Sequence, residues 1–350
     1  MTTGVEPARA PAGVRSRGNI VRLAVGIVVS LGLLWWSFRG VPLAEAAAHV
    51  RSAHLAPLLG AVILATITFP IRVARWRLLL RRDDGSALPP GPMWHAVAIG
   101  FMANNVLPFR AGELLRAYAV NRLSGARVSA AISSIGVERV FDGLTVVALL
   151  ACALLSPGMP SDLMIAGQRL TDVAQVAALA CGVLLLAAAT VLTLPDLTER
   201  IIRALIPARH LANRLVAIVA GLRHGLGVLR SPARVATVVC WSFVLWMTNA
   251  AAFWLAYRAF DITVAYPGAL VMQAALVFGI AVPSTPGFVG VFEAVIKAVL
   301  NLFGVDDIRA VAYAVTYHVT TFLPITVLGL WSLWHTPIAL RDARQPAPPA

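Results

Sequence analysis

Long apolar runs separated by short arginine-bearing connections dominate this chain, and they constrain its fold more than any single motif does. Of the 350 residues, 59% are hydrophobic and only 13% are charged, and the mean hydropathy is +0.79. Soluble domains carry roughly 25% charged residues, whereas a helix needs about 20 apolar residues to cross a bilayer. The sequence therefore predicts an all-α polytopic membrane protein without a separate soluble catalytic domain.

Six of the apolar runs have the length of a full membrane span. They cover residues 20–38, 55–72, 130–155, 172–194, 235–257 and 308–334. Two further segments, 93–107 and 268–282, have 15 residues each and are too short to cross. We predict about six transmembrane helices plus two re-entrant helical hairpins. A signal peptide is the alternative for the first run, because Ala44-Glu45-Ala46 offers a small-residue cleavage site.

Each short segment ends in a proline and glycine break that is followed by an acid. Residues 104–113 read NNVLPFRAGE and residues 282–293 read VPSTPGFVGVFE, with the same Pro-x-x-x-Gly spacing. Proline blocks a continuous helix, and glycine permits close backbone approach or positive φ. Non-helical backbone at membrane depth is tolerated only where protein buries it or where it lines a cavity. Paired breaks in two halves therefore predict a binding site between inverted repeats. The predicted break residues are Pro108, Gly112, Pro283, Pro286, Gly287 and Gly290.

The distribution of arginine predicts the orientation. If the two hairpins enter the membrane from opposite faces, 21 of the 28 arginines fall in cytoplasmic segments, as the positive-inside rule requires. This topology comprises a basic cytoplasmic tail at 1–19, one membrane domain at 20–335 and a proline-rich cytoplasmic tail at 336–350. Cytoplasmic loops and anionic lipid then account for the net charge of +13, and nucleic acid is not an expected partner.

Three charged residues lie well inside the predicted span 130–155, where an unpaired charge costs at least about 2.5 to 3.5 kcal/mol. Glu138 and Asp142 are four residues apart on one helical face and need a cation or a proton between them. Arg139 is adjacent. One hypothesis is that Arg139 holds a phosphate while the carboxylates carry protons, and the alternative is a structural ion cluster that locks the bundle.

A second charged group follows the first break. Glu113 is three residues from both Arg110 and Arg116, within reach of either. Arginine forks bind phosphate bidentately, and a helix starting near Pro108 would aim its free N–H groups into the same space. The group predicts an anionic-headgroup site, with solvated charges on a cytoplasmic helix as the alternative.

A third charged group follows the second break. Glu293 and Lys297 are spaced as an i, i+4 ion pair. The functional alternatives are that Glu293 is protonated during transport or that Lys297 contacts a lipid phosphate. His318, in the last predicted span, is interpreted as a hydrogen-bonded core histidine, with a proton relay as the alternative. No nucleotide-binding, nucleophile-elbow or metal-ligand motif occurs in the sequence, so no catalytic residue, cofactor or metal is predicted.

Four ordered motifs resemble a known family. They are Arg72-x-x-Arg75-Trp76, NVLPFRAGELLR at 105–116, VERVFD at 137–142 and PSTPGFVGVFE at 283–293. Together they resemble the lysylphosphatidylglycerol synthase transmembrane region, or flippase-like, family, although Phe288 stands where a second glycine is often found. In the bifunctional members this region resembles a flippase for aminoacylated phosphatidylglycerol, beside a soluble synthase domain that is not expected in this chain. By resemblance, substrate contact is expected at Arg110, Glu113, Arg116, Glu138, Arg139, Asp142 and Glu293.

The expected function is translocation of an anionic or phosphate-bearing lipid across a bacterial plasma membrane. That lipid is a phospholipid, an aminoacylated phospholipid or a polyprenyl-phosphate-linked molecule, since other stand-alone members are associated with polyprenyl-linked glycans. Two alternatives remain: a membrane-embedded polyprenyl-phosphate-sugar transferase or its accessory subunit, and a scaffold for a partner protein. The oligomeric state, including a homo-oligomer, is left open.

Overall fold

The computed structural model describes residues 17–82, 84–107, 111–157, 159, 194–213, 215–216, 231–280 and 285–338, with scattered residues between 164 and 190. Within this part of the chain the secondary structure is helical, apart from the antiparallel strands Met164–Ile165 and Gln168–Arg169 and a single bridge from Arg81 to Ala87. Most of the predicted span 172–194 and most of both predicted tails lie outside the described residues.

The helices follow the apolar runs. They are α1 (Arg17–Phe38), α2 (Leu43–Ser52), α3 (Leu55–Leu79), α4 (Pro90–Val106), α5 (Gly112–Ser124), α6 (Val128–Leu154), α7 (Pro195–Leu205), α8 (Pro232–Ala259), α9 (Tyr266–Gly279), α10 (Val291–Leu302) and α11 (Asp307–Trp334), with a 3-10 turn at Pro286–Phe288. The short apolar segments form α4 and α9, which have 17 and 14 residues. At about 1.5 Å per residue, both are shorter than the roughly 30 Å hydrocarbon core.

The outer surface of the bundle is that of a membrane protein. Among the described residues, three helices are long and apolar enough to cross a bilayer: Leu55–Leu79, Ala233–Ala259 and Asp307–Trp334. Helices α1 and α2, bent by 80° at their junction, form a possible fourth span. Only 39% of the most apolar stretch of each of the three helices is buried, so most of that apolar surface faces outward, as a bilayer requires. The chain is a multi-pass membrane protein, and the count of six spans with two opposed hairpins stays a prediction.

Two apolar cores divide the bundle. One surrounds Trp76, Met93 and Ile99 and joins α3, α4, α5 and α6. The other surrounds Tyr257 and Tyr313 and joins α8, α9, α10 and α11. Each core contains one short helix that leads into a break, an arrangement consistent with two structural halves.

The first break lies between α4 and α5, which pack closely against each other. A Cβ on Gly112 would collide with the carbonyl oxygen of Gly100, so glycine is needed there for close backbone approach. The N–H of Gly112 donates to Asn104 Oδ1 at 2.9 Å, which ties the start of α5 to the end of α4. Pro108 lies outside the described residues.

The second break lies between α9 and α10 and contains three left-handed residues. The values of φ are 73° at Gly287, 61° at Phe288 and 88° at Gly290. Phe288, at the position where the resembling family often has glycine, thus adopts a backbone conformation that glycine adopts without strain. Pro286 begins the 3-10 turn, and Pro283 lies outside the described residues.

The two breaks meet inside the bundle. A Cβ built on Gly287 would lie 3.3 Å from the carbonyl oxygen of Asn105 and 2.9 Å from Phe322 Cζ. Asn105, near the end of α4, is held in place by donating from Nδ2 to Thr326 Oγ1 at 2.8 Å. The last turn of α4 therefore packs directly on the turn of the second break.

Candidate functional site

Glu138 is the centre of a buried ion cluster formed by α3, α5 and α6. Its side chain has no exposed surface, and Arg116 binds it with both arms of the fork, at 3.2 Å from Nη1 to Oε1 and 2.9 Å from Nη2 to Oε2. Arg75 Nη2 and Arg139 Nη2 each lie 3.3 Å from the same Oε1. One carboxylate thus holds three guanidinium groups together in the interior.

Asp142 extends the cluster to α8. It accepts a hydrogen bond from Arg75 Nη1 at 2.6 Å and another from Trp246 Nε1 at 2.9 Å. Arg75 Nη1 also donates to Ser242 Oγ at 2.9 Å, and Arg139 Nη1 lies 3.5 Å from Asp142 Oδ2. Of the expected alternatives, a cation or a proton between Glu138 and Asp142, the structure has the cation, since the two carboxylates share both Arg75 and Arg139.

The expected reach of Glu113 to Arg116 is wrong. Arg116 is 2% exposed and turns into the bundle, where it pairs with Glu138 and stacks its guanidinium 3.8 Å from the centre of the Trp76 ring. Glu113 instead lies 3.6 Å from Arg139 Nε, at the more exposed edge of the cluster. Arg110 lies outside the described residues, so its contact with substrate stays a prediction.

Arg72 and Arg75 belong to a motif of the sequence analysis, but neither was among the expected substrate contacts. The predicted span 55–72 extends further as α3, which passes through Pro70 and continues to Leu79. Arg72 and Arg75 are consequently buried, at 8% and 0% exposure. Their i, i+3 spacing, followed by Trp76, is the signal that could have placed both on one interior face.

A cavity of about 240 Å³ lies where the two cores and the two breaks meet. Its walls are mostly aromatic and aliphatic, with a few polar side chains. The lining residues are Ala65, Thr68, Phe69, Arg72, Phe101, Asn105, Trp246, Asn249, Phe253, Gln273, Leu276, Val277, Ile280, Phe288, Phe292, Tyr317, His318, Thr321, Phe322 and Ile325.

Two buried donors in this cavity have no acceptor among the described residues. The guanidinium of Arg72 lies 5.0 Å from the ring centre of Phe101 and 5.7 Å from that of Trp246, but it makes no hydrogen bond or ion pair there, and its Nε is buried. Gln273 is 1% exposed, and its Oε1 accepts from Asn249 at 3.2 Å while its Nε2 has no partner. The cavity therefore offers hydrogen-bond donors and a positive charge.

The balance of charge identifies Arg72 as the excess cation. Within the described residues, the cluster and the cavity contain four arginines against three carboxylates. The carboxylates are Glu113, Glu138 and Asp142, and each lies within 4 Å of another arginine of the cluster but not of Arg72. Arg72 therefore has no carboxylate partner among the residues that the structure describes.

The predicted pair of Glu293 with Lys297 is also wrong. Glu293 Oε2 accepts from the N–H of Gly290 at 2.7 Å at the start of α10, and Oε1 lies 2.6 Å from His318 Nδ1. Lys297 instead pairs with Asp307, with 3.0 Å between Nζ and Oδ2. The helix start and the histidine thus occupy both oxygens of Glu293.

His318 is a buried, hydrogen-bonded histidine, as predicted. It is 8% exposed, and its Nε2 lies 2.9 Å from the carbonyl oxygen of Gly287. Its ring stacks on Phe292 with centroids 4.2 Å apart. His318 therefore connects α11 to both sides of the second break and to the wall of the cavity.

Interrupted helices that meet at a cavity beside a buried charge cluster define a multi-pass helical membrane domain with an internal polar site. The chain belongs to the family described as the lysylphosphatidylglycerol synthase transmembrane region, whose profile matches residues 23–329. This confirms the resemblance. The chain is also similar to the glycosyltransferase AglD of Haloferax volcanii, with 28% identity over 135 residues. That match spans 39% of this chain and 22% of the relative's length.

Proposed function

We propose that this protein translocates the phosphate-bearing headgroup of an anionic membrane lipid, with Arg72 as the anchor for that headgroup. The observation that carries the proposal is the buried guanidinium of Arg72, which points into a cavity between two helix breaks without an anionic partner among the described residues. Membership of the lysylphosphatidylglycerol synthase transmembrane region family supports a function related to membrane lipids.

The energetics of Arg72 favour an anionic ligand. Burying a charge costs several kcal/mol even after the protein relaxes. The contacts of the Arg72 guanidinium with the rings of Phe101 and Trp246 return only about 0.5 to 2 kcal/mol each. A phosphate offers both an opposite charge and several acceptor oxygens, which would also satisfy the free Nε2 of Gln273.

The size and the lining of the cavity favour a headgroup over a whole lipid. Its volume of about 240 Å³ is below the roughly 300 to 1,000 Å³ of sites that enclose complete drug-sized ligands. The aromatic walls suit the glycerol and first methylene groups of a lipid whose chains remain in the bilayer. Rearrangement of the two breaks, which meet at Asn105 and Gly287, would then expose the headgroup to the other side.

The ion cluster takes a separate role in this proposal. Glu138 binds Arg75 and Arg116, and Asp142 binds Arg75 and Trp246, so these contacts tie α3, α5, α6 and α8 together and fix the position of Arg72. Arg139 and Glu113, with side chains 40% and 35% exposed, form the accessible edge where an anionic headgroup first exchanges partners. In this proposal the protein lies in a bacterial plasma membrane with both termini in the cytoplasm, and the edge formed by Arg139 and Glu113 faces the cytoplasmic leaflet.

Proteoliposomes test the proposal directly. Phosphatidylglycerol with a fluorescent acyl chain is reconstituted with the purified protein, and dithionite bleaching measures the fraction of lipid that reaches the outer leaflet over time. Hydrogen bonds to charged groups contribute about 1.5 to 3 kcal/mol. The Arg72→Gln variant is therefore expected to translocate at least about tenfold more slowly than wild type.

Arg258→Gln is the matched control. Arg258 is also an arginine over an indole ring, 5.0 Å from the centre of Trp254, but it is exposed and does not line the cavity. Its substitution should leave the rate unchanged. Translocation by Arg72→Gln at the wild-type rate would overturn the proposal. Unlabelled aminoacylated phosphatidylglycerol and polyprenyl phosphate are then added separately, and the degree to which each slows translocation of the labelled lipid ranks the lipid classes as substrates.

The similarity to a glycosyltransferase supports a second candidate function, transfer of a sugar from a polyprenyl phosphate or assistance in that transfer. In that case the cavity would bind the phosphate of the sugar carrier. Purified protein in detergent, given a radiolabelled polyprenyl-phosphate sugar and acceptor lipids, would then form product without any bilayer. Product formation there, together with an inactive proteoliposome assay, would favour the enzyme over the translocator.

A further inference from the structure

The contact between His318 and Glu293, beside the second break, fixes the positions of two protons. Nε2 of His318 faces the carbonyl oxygen of Gly287 at 2.9 Å. A carbonyl oxygen only accepts hydrogen bonds, so Nε2 carries a hydrogen and donates it. The state of Nδ1 then follows from its other neighbour.

Nδ1 faces Glu293 Oε1 at 2.6 Å. Neither an unprotonated imidazole nitrogen nor a carboxylate oxygen has a hydrogen to donate, so a contact of this length needs a proton between them. The proton belongs either to an imidazolium beside a carboxylate or to a carboxylic acid beside a neutral imidazole. Both descriptions contain the same number of protons, and the structure thus represents a proton-loaded pair.

Other titratable and charged groups near the pair have their own partners or belong to the cavity. On α10, Lys297 is paired with Asp307 of α11 at 3.0 Å. Tyr317 of α11 and Arg72 of α3 line the same cavity as His318. The described side chains of α1 include no acid, base or tyrosine, and α9 contains only Tyr266.

We propose that the pair of His318 and Glu293 is a proton-binding site that couples proton movement to headgroup movement, an inference that rests on the proposed function. When the proton leaves to water, the imidazole keeps one N–H, so one of its two contacts is left with lone pairs on both atoms and opens; no other bond forms or breaks. Glu293 also caps the N–H of Gly290 at 2.7 Å, and His318 holds the carbonyl of Gly287. Loss of one proton therefore releases one of the two ties that His318 makes to the left-handed turn, either to Glu293 or to Gly287.

The same change reaches the headgroup site. The ring of His318 stacks on Phe292 at 4.2 Å and meets the edge of Phe322 at 5.4 Å, and all three side chains line the cavity into which Arg72 projects. Movement of the imidazole thus reshapes the cavity wall. A proton and an anionic headgroup both act on one break, which is the condition for coupling between two ligands.

The first experiment measures proton binding without transport. Nitrogen-15 NMR of labelled histidine in lipid nanodiscs reports which ring nitrogens carry a proton, and the signal lost in His318→Gln identifies His318. In wild type we expect one ring nitrogen of His318 to lose its hydrogen when the pH is raised, because the proton shared with Glu293 is released. A His318 signal that does not change with pH would overturn the inference.

Glu293→Gln is the decisive variant. Its amide oxygen can accept from Gly290 and its amide N–H can donate to Nδ1, so both hydrogen bonds persist without a removable proton. We expect the variant to fold like wild type and to hold His318 as a neutral, pH-independent imidazole. Glu45→Gln, at an exposed position on α2, is the matched control, and the His318 signal of this variant should respond to pH as in wild type. A pH-dependent His318 in Glu293→Gln would contradict the assignment of Glu293.

The second experiment measures coupling. An imposed pH gradient should change the initial rate of phosphatidylglycerol translocation by at least about fivefold in wild type and leave the rate of Glu293→Gln unchanged. If the pH gradient leaves the initial rate of wild-type translocation unchanged, proton coupling is refuted and the proposed role of Arg72 still stands. A chain whose His318 titrates but that moves no lipid would refute the proposed function and leave the proton site standing.

Discussion

Glu138→Gln is the substitution that tests the ion cluster most directly. It removes one negative charge and changes the shape of the side chain very little. Glu138 is fully buried and contacts Arg75, Arg116 and Arg139 within 3.3 Å. After the change, three buried or half-buried guanidinium groups would have only Asp142 and the more exposed Glu113 for neutralisation.

The expected loss of stability is large. Removing one partner of a buried ion pair costs about 3 to 5 kcal/mol, because the remaining charge is left uncompensated. The entropy of unfolding is roughly 2.1 cal/mol/K per residue, so a chain of 350 residues loses about 1.4 °C of melting temperature per kcal/mol. Glu138→Gln should therefore unfold roughly 4 to 7 °C below wild type, with reduced yield from the membrane.

Thermal unfolding in detergent, followed by intrinsic tryptophan fluorescence, measures this shift. Glu45→Gln is the control, because the exposed Glu45 has no contact with the cluster and such surface changes stay within about 0.5 kcal/mol. The double variant Arg116→Gln with Glu138→Gln removes one charge of each sign and should lose less stability than the sum of the two single variants. A melting temperature for Glu138→Gln within about 2 °C of wild type would refute the argument that this carboxylate holds the bundle together.

Two further predictions concern the second break and the topology. Gly290→Ala should unfold at a clearly lower temperature than Gly304→Ala: both positions have positive φ, at 88° and 76°, but a Cβ on Gly290 would collide with Ser30 of α1 whereas one on Gly304 meets open space. Equal melting temperatures would contradict the close packing of the second break on α1. In a chain freed of its native cysteines, Gly91→Cys and Gly125→Cys should both react with an impermeant maleimide from the same side of the membrane. Labelling from opposite sides would show that α4 spans the bilayer and would end the re-entrant interpretation.

Helix positions were predictable because the length of an apolar run is a local property. The ends of α1, α6, α8 and α11 lie within three residues of the predicted spans. The breaks were predictable for the same reason, since proline and glycine limit the backbone wherever the rest of the chain lies. Pro70 and Pro324 do not break their helices: neighbouring helices can satisfy the backbone groups that they free, and α3 and α11 continue past them.

Charge partners were not predictable from spacing, and the magnitudes explain why. An i, i+4 pair such as Glu293 with Lys297 contributes only about 0.2 to 0.5 kcal/mol. A hydrogen bond between a charged group and a buried partner contributes about 1.5 to 3 kcal/mol, and the contact of Glu293 with His318 is of that kind. Such contacts depend on how helices rotate and pack, as the 104-residue separation of Asp142 and Trp246 illustrates. Arg72 was not singled out because sequence spacing cannot show that a side chain has no partner among the described residues, and the role proposed for it rests on that observation.

The proposed proton site and the proposed headgroup site act on each other through charge as well as through shape. An anionic headgroup that reaches Arg72 brings negative charge into the cavity that His318 also lines, and this favours retention of the proton between His318 and Glu293. Reciprocity then requires the loaded pair to favour headgroup binding by the same factor. Moving one charge across a membrane potential of 100 mV changes the free energy by about 2.3 kcal/mol. A headgroup with one negative charge that crosses together with one proton carries no net charge, so its movement would be insensitive to that potential.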